Sequence, residues 1–159
     1  MGKNPETVVL LEDIRSVYNV GSVFRTADAS GVDRLLLCGH TAHPPHPRLE
    51  KTALDSTHSV AWEYHQEPSI ILNKLREKGF TLVAMENLPK AVNLYELPFF
   101  SKICFVFGNE VNGVSPQTLQ LVDHTCVIPM RGSKTSLNVS VSVGVTLYER
   151  LRTTTYNLL

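Results

Sequence analysis

Short apolar runs alternate along the chain with longer stretches in which apolar residues recur every three or four positions. The runs at 7–11 (TVVLL), 34–38 (RLLLC), 80–85 (FTLVAM), 103–107 (ICFVF) and 125–128 (TCVI) have the length and bounding residues of strands. A further strand is predicted near 59–64. Helical spacing begins after Asn19, with Val20, Phe24 and Ala27 on one side; Asn19 is placed to cap that helix and Gly31 to end it. A second helix opens at Pro68, draws its apolar side from Ile70, Ile71, Leu72 and Leu75, and closes at Gly79. A short helix is predicted over 49–55 and another after Ser115-Pro116. Residues 39–48 (GHTAHPPHPR) and the stretch ENLPKAVNLYELP read as loops. Strands that alternate with helices, some of them apolar throughout, predict an α/β fold: a mostly parallel sheet with helices on both faces. No repeat or linker divides the chain, so residues 1–159 are expected to form a single domain.

Residues 131–144 (RGSKTSLNVSVSVG) are ambiguous by period. Val139, Val141, Val143 and Val145 alternate like a strand. Leu137, Val141 and Val145, continued by Leu147 and Leu151, fit a helix, and the length of the segment favours a helix over 136–151. Ser136, Asn138, Ser140 and Ser142 would be costly to bury without partners. Either the stretch is a wet surface element or something polar docks at its start.

Composition narrows the possibilities. The 159 residues are 43% hydrophobic and 19% charged, with 15 basic and 15 acidic side chains. That balance supports one packed core and provides no global field for nucleic acid, although a local basic face remains open. No apolar run reaches the ~20 residues a membrane span needs. The N-terminus lacks the apolar core of a secretory signal, and Thr7 misses the position a myristoylation pattern requires. Cys38, Cys104 and Cys126 are odd in number and lie in apolar runs, which suits free thiols in a reducing cytoplasm.

Ligands of parallel sheets collect beyond the carboxyl ends of the strands. Three segments there carry glycine: NVGSVFRTADASG (19–31), FGNEVNGVS (107–115) and IPMRGSKTSLN (128–138). None is a GxGxxG or GxxxxGK[ST] loop, which argues against the usual nicotinamide and ATP enzymes. Cys38, His40, His43 and His46 are all metal-ligand types, but their spacing and the intervening prolines do not match a zinc site, so no metal is expected. No base neighbours any cysteine, which disfavours thiol catalysis.

In this order, the three segments resemble the motifs of the SPOUT RNA methyltransferases, in the SpoU or TrmH-like branch that methylates ribose 2′-oxygens. Asn19, Gly21 and Arg25 meet the first motif. Gly108, Asn109, Glu110, Gly113 and Ser115 meet the second. Ile128, Pro129, Met130, Gly132, Ser136, Leu137, Asn138 and Ser140 meet the third. The resemblance covers nearly the whole chain. It implies a C-terminal deep trefoil knot, which the hydrophobic pattern gave no reason to expect. It also implies S-adenosylmethionine bound on the knot loops, and a homodimer whose sites draw on both chains.

On this resemblance the cofactor would be held by Phe107, Gly108, Asn109, Ile128, Met130, Ser136 and Leu137. Arg25, Asn19, Glu110, Ser136 and Asn138 would form the catalytic set. Arginine stays protonated, so Arg25 is read as an anchor for phosphate and developing oxyanion charge rather than a base. Ser136 is equally suited to be the N-cap of the last helix. Arg15, Arg48, Lys51, Arg131 and Lys134 are the candidate RNA contacts. Asp55 stands where the family pattern has Gly, which puts the local loop shape in doubt. The expected substrate is tRNA ahead of rRNA. The competing readings are a non-catalytic RNA-binding scaffold dimer and a base methyltransferase.

Overall fold

The structure is a computed structural model that describes residues 5–155. Among those residues seven strands form one sheet in the order β3-β2-β1-β6-β4-β7-β5. The strands are β1 (Glu6–Glu12), β2 (Arg34–Cys38), β3 (Trp62–His65), β4 (Thr81–Met85), β5 (Val92–Asn93), β6 (Lys102–Phe107) and β7 (His124–Val127). Every pairing is parallel. Side chains alternate across the sheet, as strand geometry requires. Val9, Leu11, Leu35, Leu37, Val83, Phe105 and Phe107 enter one buried cluster. Val8, Leu10, Leu36, Leu82, Cys104 and Val106 enter another on the opposite face. Two-sided burial explains why these strands read as unbroken apolar runs.

The first face is covered by α1 (Val17–Ser30), α2 (Pro47–Ala53) and α6 (Val139–Thr155), through Val20, Phe24, Ala27, Leu49, Ala53, Val143 and Leu147. The second is covered by α4 (Pro68–Glu77), through Ile71, Leu72 and Leu75, and by the region of α5 (Pro116–Leu119). α3 is the short turn Ser56–Ser59. The α/β class, the parallel sheet and the helices on both faces therefore agree with the hydrophobic pattern.

Several local expectations are corrected. Asn19 does not cap α1. Ser16 does, its hydroxyl accepting from the Asn19 N–H at 3.2 Å. This leaves the Asn19 side chain free for longer-range contacts. The predicted 49–55 helix is two pieces, α2 and α3, split at Leu54 and Asp55. Both residues take positive φ, 48° and 65°, so Asp55 adopts the left-handed backbone that glycine would reach more readily. The supposed loop after β4 contains β5 and a 3₁₀ turn, Leu94–Glu96. The last helix starts at Val139, not at 136, and runs on to Thr155.

Candidate active site

The carboxyl ends of β4, β6 and β7 open into a cleft of about 470 Å³. Its walls come from the ends of those strands and from two loops, 108–115 and 128–138. Lining residues include Phe107, Gly108, Asn109, Glu110, Ile128, Met130, Ser136, Leu137 and Asn138. Every residue expected to hold a cofactor therefore faces one cavity.

The 108–115 loop is built tightly. A Cβ on Gly108 would lie 2.2 Å from the Gly113 carbonyl carbon and from the Val114 nitrogen, so only glycine fits. Gly113 has φ 71° and closes the turn by donating its N–H to the Asn109 carbonyl at 2.9 Å. The Asn109 carboxamide oxygen accepts from the Val111 and Asn112 N–H groups, and its amide donates to the Asp13 carbonyl at 2.8 Å. Two further carboxylates, which the sequence reading missed, hold the loop from below. Glu86 accepts from the Val114 N–H at 2.9 Å. Glu12, buried at the end of β1, accepts from the Ser115 N–H and hydroxyl and from the Thr118 hydroxyl, at 3.0, 2.7 and 2.8 Å. The one available signal was an acid closing an apolar strand run.

Glu110 crosses to the first motif. Its carboxylate accepts from the Arg15 N–H (2.9 Å), the Ser16 N–H (3.1 Å) and the Asn19 amide (3.1 Å). Partial burial pushes the Glu110 carboxyl up. The N–H groups of Arg15, Glu110 itself and Ser16, with the Asn19 amide, outweigh that and hold it below its ordinary value. Asn19 is then joined by the third motif: the Asn138 amide donates to its carboxamide oxygen at 3.2 Å. Asn138 also caps α6, accepting from the Ser140 N–H and hydroxyl at 2.9 and 2.7 Å. Asn138, rather than Ser136, thus opens the last helix. Ser136 is exposed on the cleft wall.

The 128–138 loop is the opposite in construction. Residues 131–138 are all exposed. Among the described residues, no backbone–backbone hydrogen bond involves 128–137; the one partner of its main chain is the Asn87 amide, 3.4 Å from the Thr135 carbonyl. Leu137 is not on a helix face, as its spacing suggested, but 40% exposed beside the cleft.

The structure joins Asn19, Glu110 and Asn138 but leaves Arg25 apart. Arg25 is exposed on α1, six residues beyond Asn19, which is about 9 Å along the helix. It does not line the cleft and has no hydrogen-bond or ion-pair partner among the described residues. Arg15, Arg131 and Lys134 lie on the loops around the cleft, and Arg48 and Lys51 on α2; all five are exposed and none is ion-paired among the described residues. Cys126 lines the cleft, but burial raises its thiol to about 11, so it stays protonated at neutral pH. Among the described residues no group of His, Cys, Asp or Glu gathers in metal-binding geometry, and no helix is long and apolar enough to cross a membrane.

A wholly parallel sheet, with a glycine-built cleft at its carboxyl edge and three motif loops meeting there, defines a methyltransferase of the SPOUT class. The chain belongs to the SpoU rRNA methylase family, whose sequence profile matches residues 6–148. It is 32% identical over 151 residues to the tRNA (guanosine(18)-2′-O)-methyltransferase of Aquifex aeolicus, covering 94% of this chain and 71% of that enzyme. The fold is similar to that of the SpoU methyltransferase AviRb from Streptomyces viridochromogenes in complex with AdoMet. That match has a TM-score of 0.87 and 27% identity, over 96% of this chain and 59% of AviRb. A structure concerned with 2-OH methylation of C/U34 on tRNA matches with a TM-score of 0.83 and 30% identity, over 93% of this chain and 95% of that one. The chain spans 52% of the length of an uncharacterized tRNA/rRNA methyltransferase of Synechocystis sp., about half, whereas it spans 95% of the C/U34 structure.

Proposed function

We propose that the protein transfers the methyl group of S-adenosylmethionine to a ribose 2′-hydroxyl of RNA, with tRNA the expected substrate. The observation that carries this reading is the 128–137 segment. It lies against a cleft of cofactor size, and its main-chain donors and acceptors have no main-chain partners. Small residues let such a backbone approach a nucleoside closely, and backbone groups can read an adenine edge without charge. The residues present therefore fit the cofactor. Gly108 and Phe107 form one side of its seat, Ile128, Met130 and Leu137 the other.

The bound cofactor supplies a methyl group activated on a sulfonium, which becomes a neutral thioether when the methyl–oxygen bond forms. The protein's task is to position the ribose and to stabilise charge as its hydroxyl proton passes to solvent water. Glu110 fixes Asn19 and the β1–α1 loop, and Asn138 ties that assembly to the start of α6. Ser136, exposed at the rim, is placed to hydrogen-bond the target ribose.

Arg25 anchors the adjoining phosphate. Its distance from the cleft of its own chain supports a homodimer in which a second copy brings its Arg25 to the site. The segment from β7 through the 128–138 loop to α6, which packs on α1, is where the family resemblance puts the trefoil knot. Residues 1–159 then act as one methyltransferase domain. Buried free thiols at Cys38, Cys104 and Cys126 favour the cytoplasm as its compartment.

Calorimetry with S-adenosylmethionine, followed by labelled-methyl transfer to total tRNA and to rRNA, tests the reading. Binding is expected, with label at a ribose in the tRNA pool. Label on a base would overturn the ribose assignment, and no cofactor binding would overturn the whole proposal. Arg25→Ala should lower turnover by about 100-fold or more. Cofactor affinity and thermal stability should be unchanged, because the side chain touches neither the cofactor seat of its own chain nor the core.

A further inference from the structure

The loop 39–46, which carries His40, His43 and His46, lies outside the cleft. It follows β2 and covers the edge strand β3. His43 packs on Trp62, with ring centroids 6.2 Å apart and planes at 23°, and on Tyr64 at 4.5 Å and 42°. Trp62 and Tyr64 are two apart on one strand and therefore share a face. The alternate residues Glu63 and His65 bond to each other and, through Glu63, to Arg34. His43 itself is exposed, and Tyr64 is 37% exposed.

The position of this aromatic group is fixed. The Tyr64 hydroxyl donates to the Gly39 carbonyl at 2.9 Å. Thr41 accepts from the Ile14 N–H and donates to the Leu11 carbonyl, at 3.0 and 3.1 Å. The His40 N–H donates to Asp13 at 2.8 Å. Asp13 in turn offers its carbonyl to the Asn109 amide. The aromatic group and the wall of the cleft are thus fastened to the same turn. His43 Nδ1 lies 3.0 Å from the Pro44 carbonyl, which can only accept, so Nε2 and the outer ring face are left open. Arg48 and Lys51, exposed and unpaired, follow on α2.

We infer that His43, backed by Trp62 and Tyr64, is a stacking platform for an unpaired base of the RNA whose ribose enters the cleft, with Arg48 and Lys51 taking the flanking phosphates. Every base has a face that can stack on such a ring, and unpaired bases beside basic side chains are the usual way single-stranded RNA is held. The inference rests on the RNA reading above. It adds a second point of contact, which would orient the strand relative to the reacting ribose.

Trp62 is the chain's only tryptophan, so its emission reports on this platform directly. Total tRNA and a mixed-sequence single-stranded RNA should each quench it, in step with binding measured on a filter, whereas S-adenosylmethionine alone should not. His43→Ala should raise the RNA Kd about tenfold and remove the quench, with cofactor Kd and the salt dependence of RNA binding unchanged. His43→Phe, which keeps a ring, should restore both. Arg48→Ala should instead lower the salt slope by about one. RNA that binds without altering Trp62 emission, and with equal Kd for His43→Ala, would overturn the platform while leaving the methyltransferase reading intact. Cofactor binding with no RNA binding at all would overturn both.

Discussion

The two walls of the cleft are made in opposite ways. In the 108–115 loop nearly every polar group is spoken for by the protein: Asn109 by Val111, Asn112 and Asp13, Val114 by Glu86, Ser115 by Glu12, and Glu110 by the first motif. In the 128–138 loop the main chain is left almost unpartnered and the side chains from Arg131 to Asn138 are exposed. One wall is finished within the protein, and on the proposed reading the other would be completed by the ligand. A rigid wall sets where a nucleoside must sit, and an open one supplies the hydrogen bonds that reward its arrival. Substitutions in the first should therefore cost folding stability as well as binding. In the second they should cost binding alone.

Gly108→Ala is expected to have the largest effect on stability. Its methyl group would meet the backbone of Gly113 and Val114, which cannot swing aside as a side chain can. Overpacking of this kind costs about 2–3 kcal/mol, and cofactor affinity should fall with it. Gly132→Ala is the matched control in the open wall: nothing lies within 4 Å of the added atom, and stability should change by less than about 0.5 kcal/mol. Denaturant midpoints of the two variants check the contrast. Equal losses would show that the open wall is as closely packed as the finished one.

Glu12→Gln comes next. It keeps the size of the side chain but turns one accepting atom into a donor facing the donors of Ser115 and Thr118. A loss of about 2 kcal/mol is expected, again read from the denaturant midpoint. A neutral result would mean that the loop is held by Glu86 and Asn109 without help from Glu12.

Neither Glu12 nor Glu86 was legible in the sequence. Each is an acid after an apolar strand, and its partners lie far away in the chain: Ser115 is 103 residues from Glu12. Periodicity sees neighbours within a helical turn or a strand pair, and so it found the runs at 34–38 and 103–107. It found neither the strand order nor the two-residue strand β5, which is too short to carry a period. The start of α6 was misplaced for a related reason. Val139 through Val145 satisfies both periods, and Ser136 and Asn138 are equally good caps by residue type; only the bond from the Ser140 N–H to Asn138 decides between them. The residues that gather at the cleft form contiguous motifs, which is why they could be picked out together in the sequence. Arg25 belongs to the first of those motifs but lies away from the cleft of its own chain.

Glu110 joins the finished wall to the first motif, and its depressed carboxyl gives that link a pH signature. A group whose value is lowered on folding stabilises the fold above its ordinary value of 4.5. That contribution is lost as the pH falls through the lower folded value. This contribution to fold stability should therefore be flat from neutral pH down to about 4.5 and fall only on further acidification. Glu110→Gln should bind the cofactor a few-fold more weakly at neutral pH and lose that acid limb of stability. Calorimetry over the acid range checks it; an unchanged acid limb in the variant would assign the titration to another group.

The smallest effect separates the walls most cleanly. Lys134 lies in the open loop, exposed and without an ion pair. No protein group depends on it, so Lys134→Ala should leave the denaturant midpoint and the cofactor Kd where they are. If its ammonium meets a phosphate at the cleft mouth, the slope of log affinity for tRNA against log salt should fall by about one. The fall should be equal for all tRNA sequences, since a phosphate contact reads no base. A variant with an unchanged slope would confine RNA contact to Arg15, Arg48, Lys51 and Arg131. It would also leave Arg131 as the basic side chain through which the 128–138 loop meets RNA.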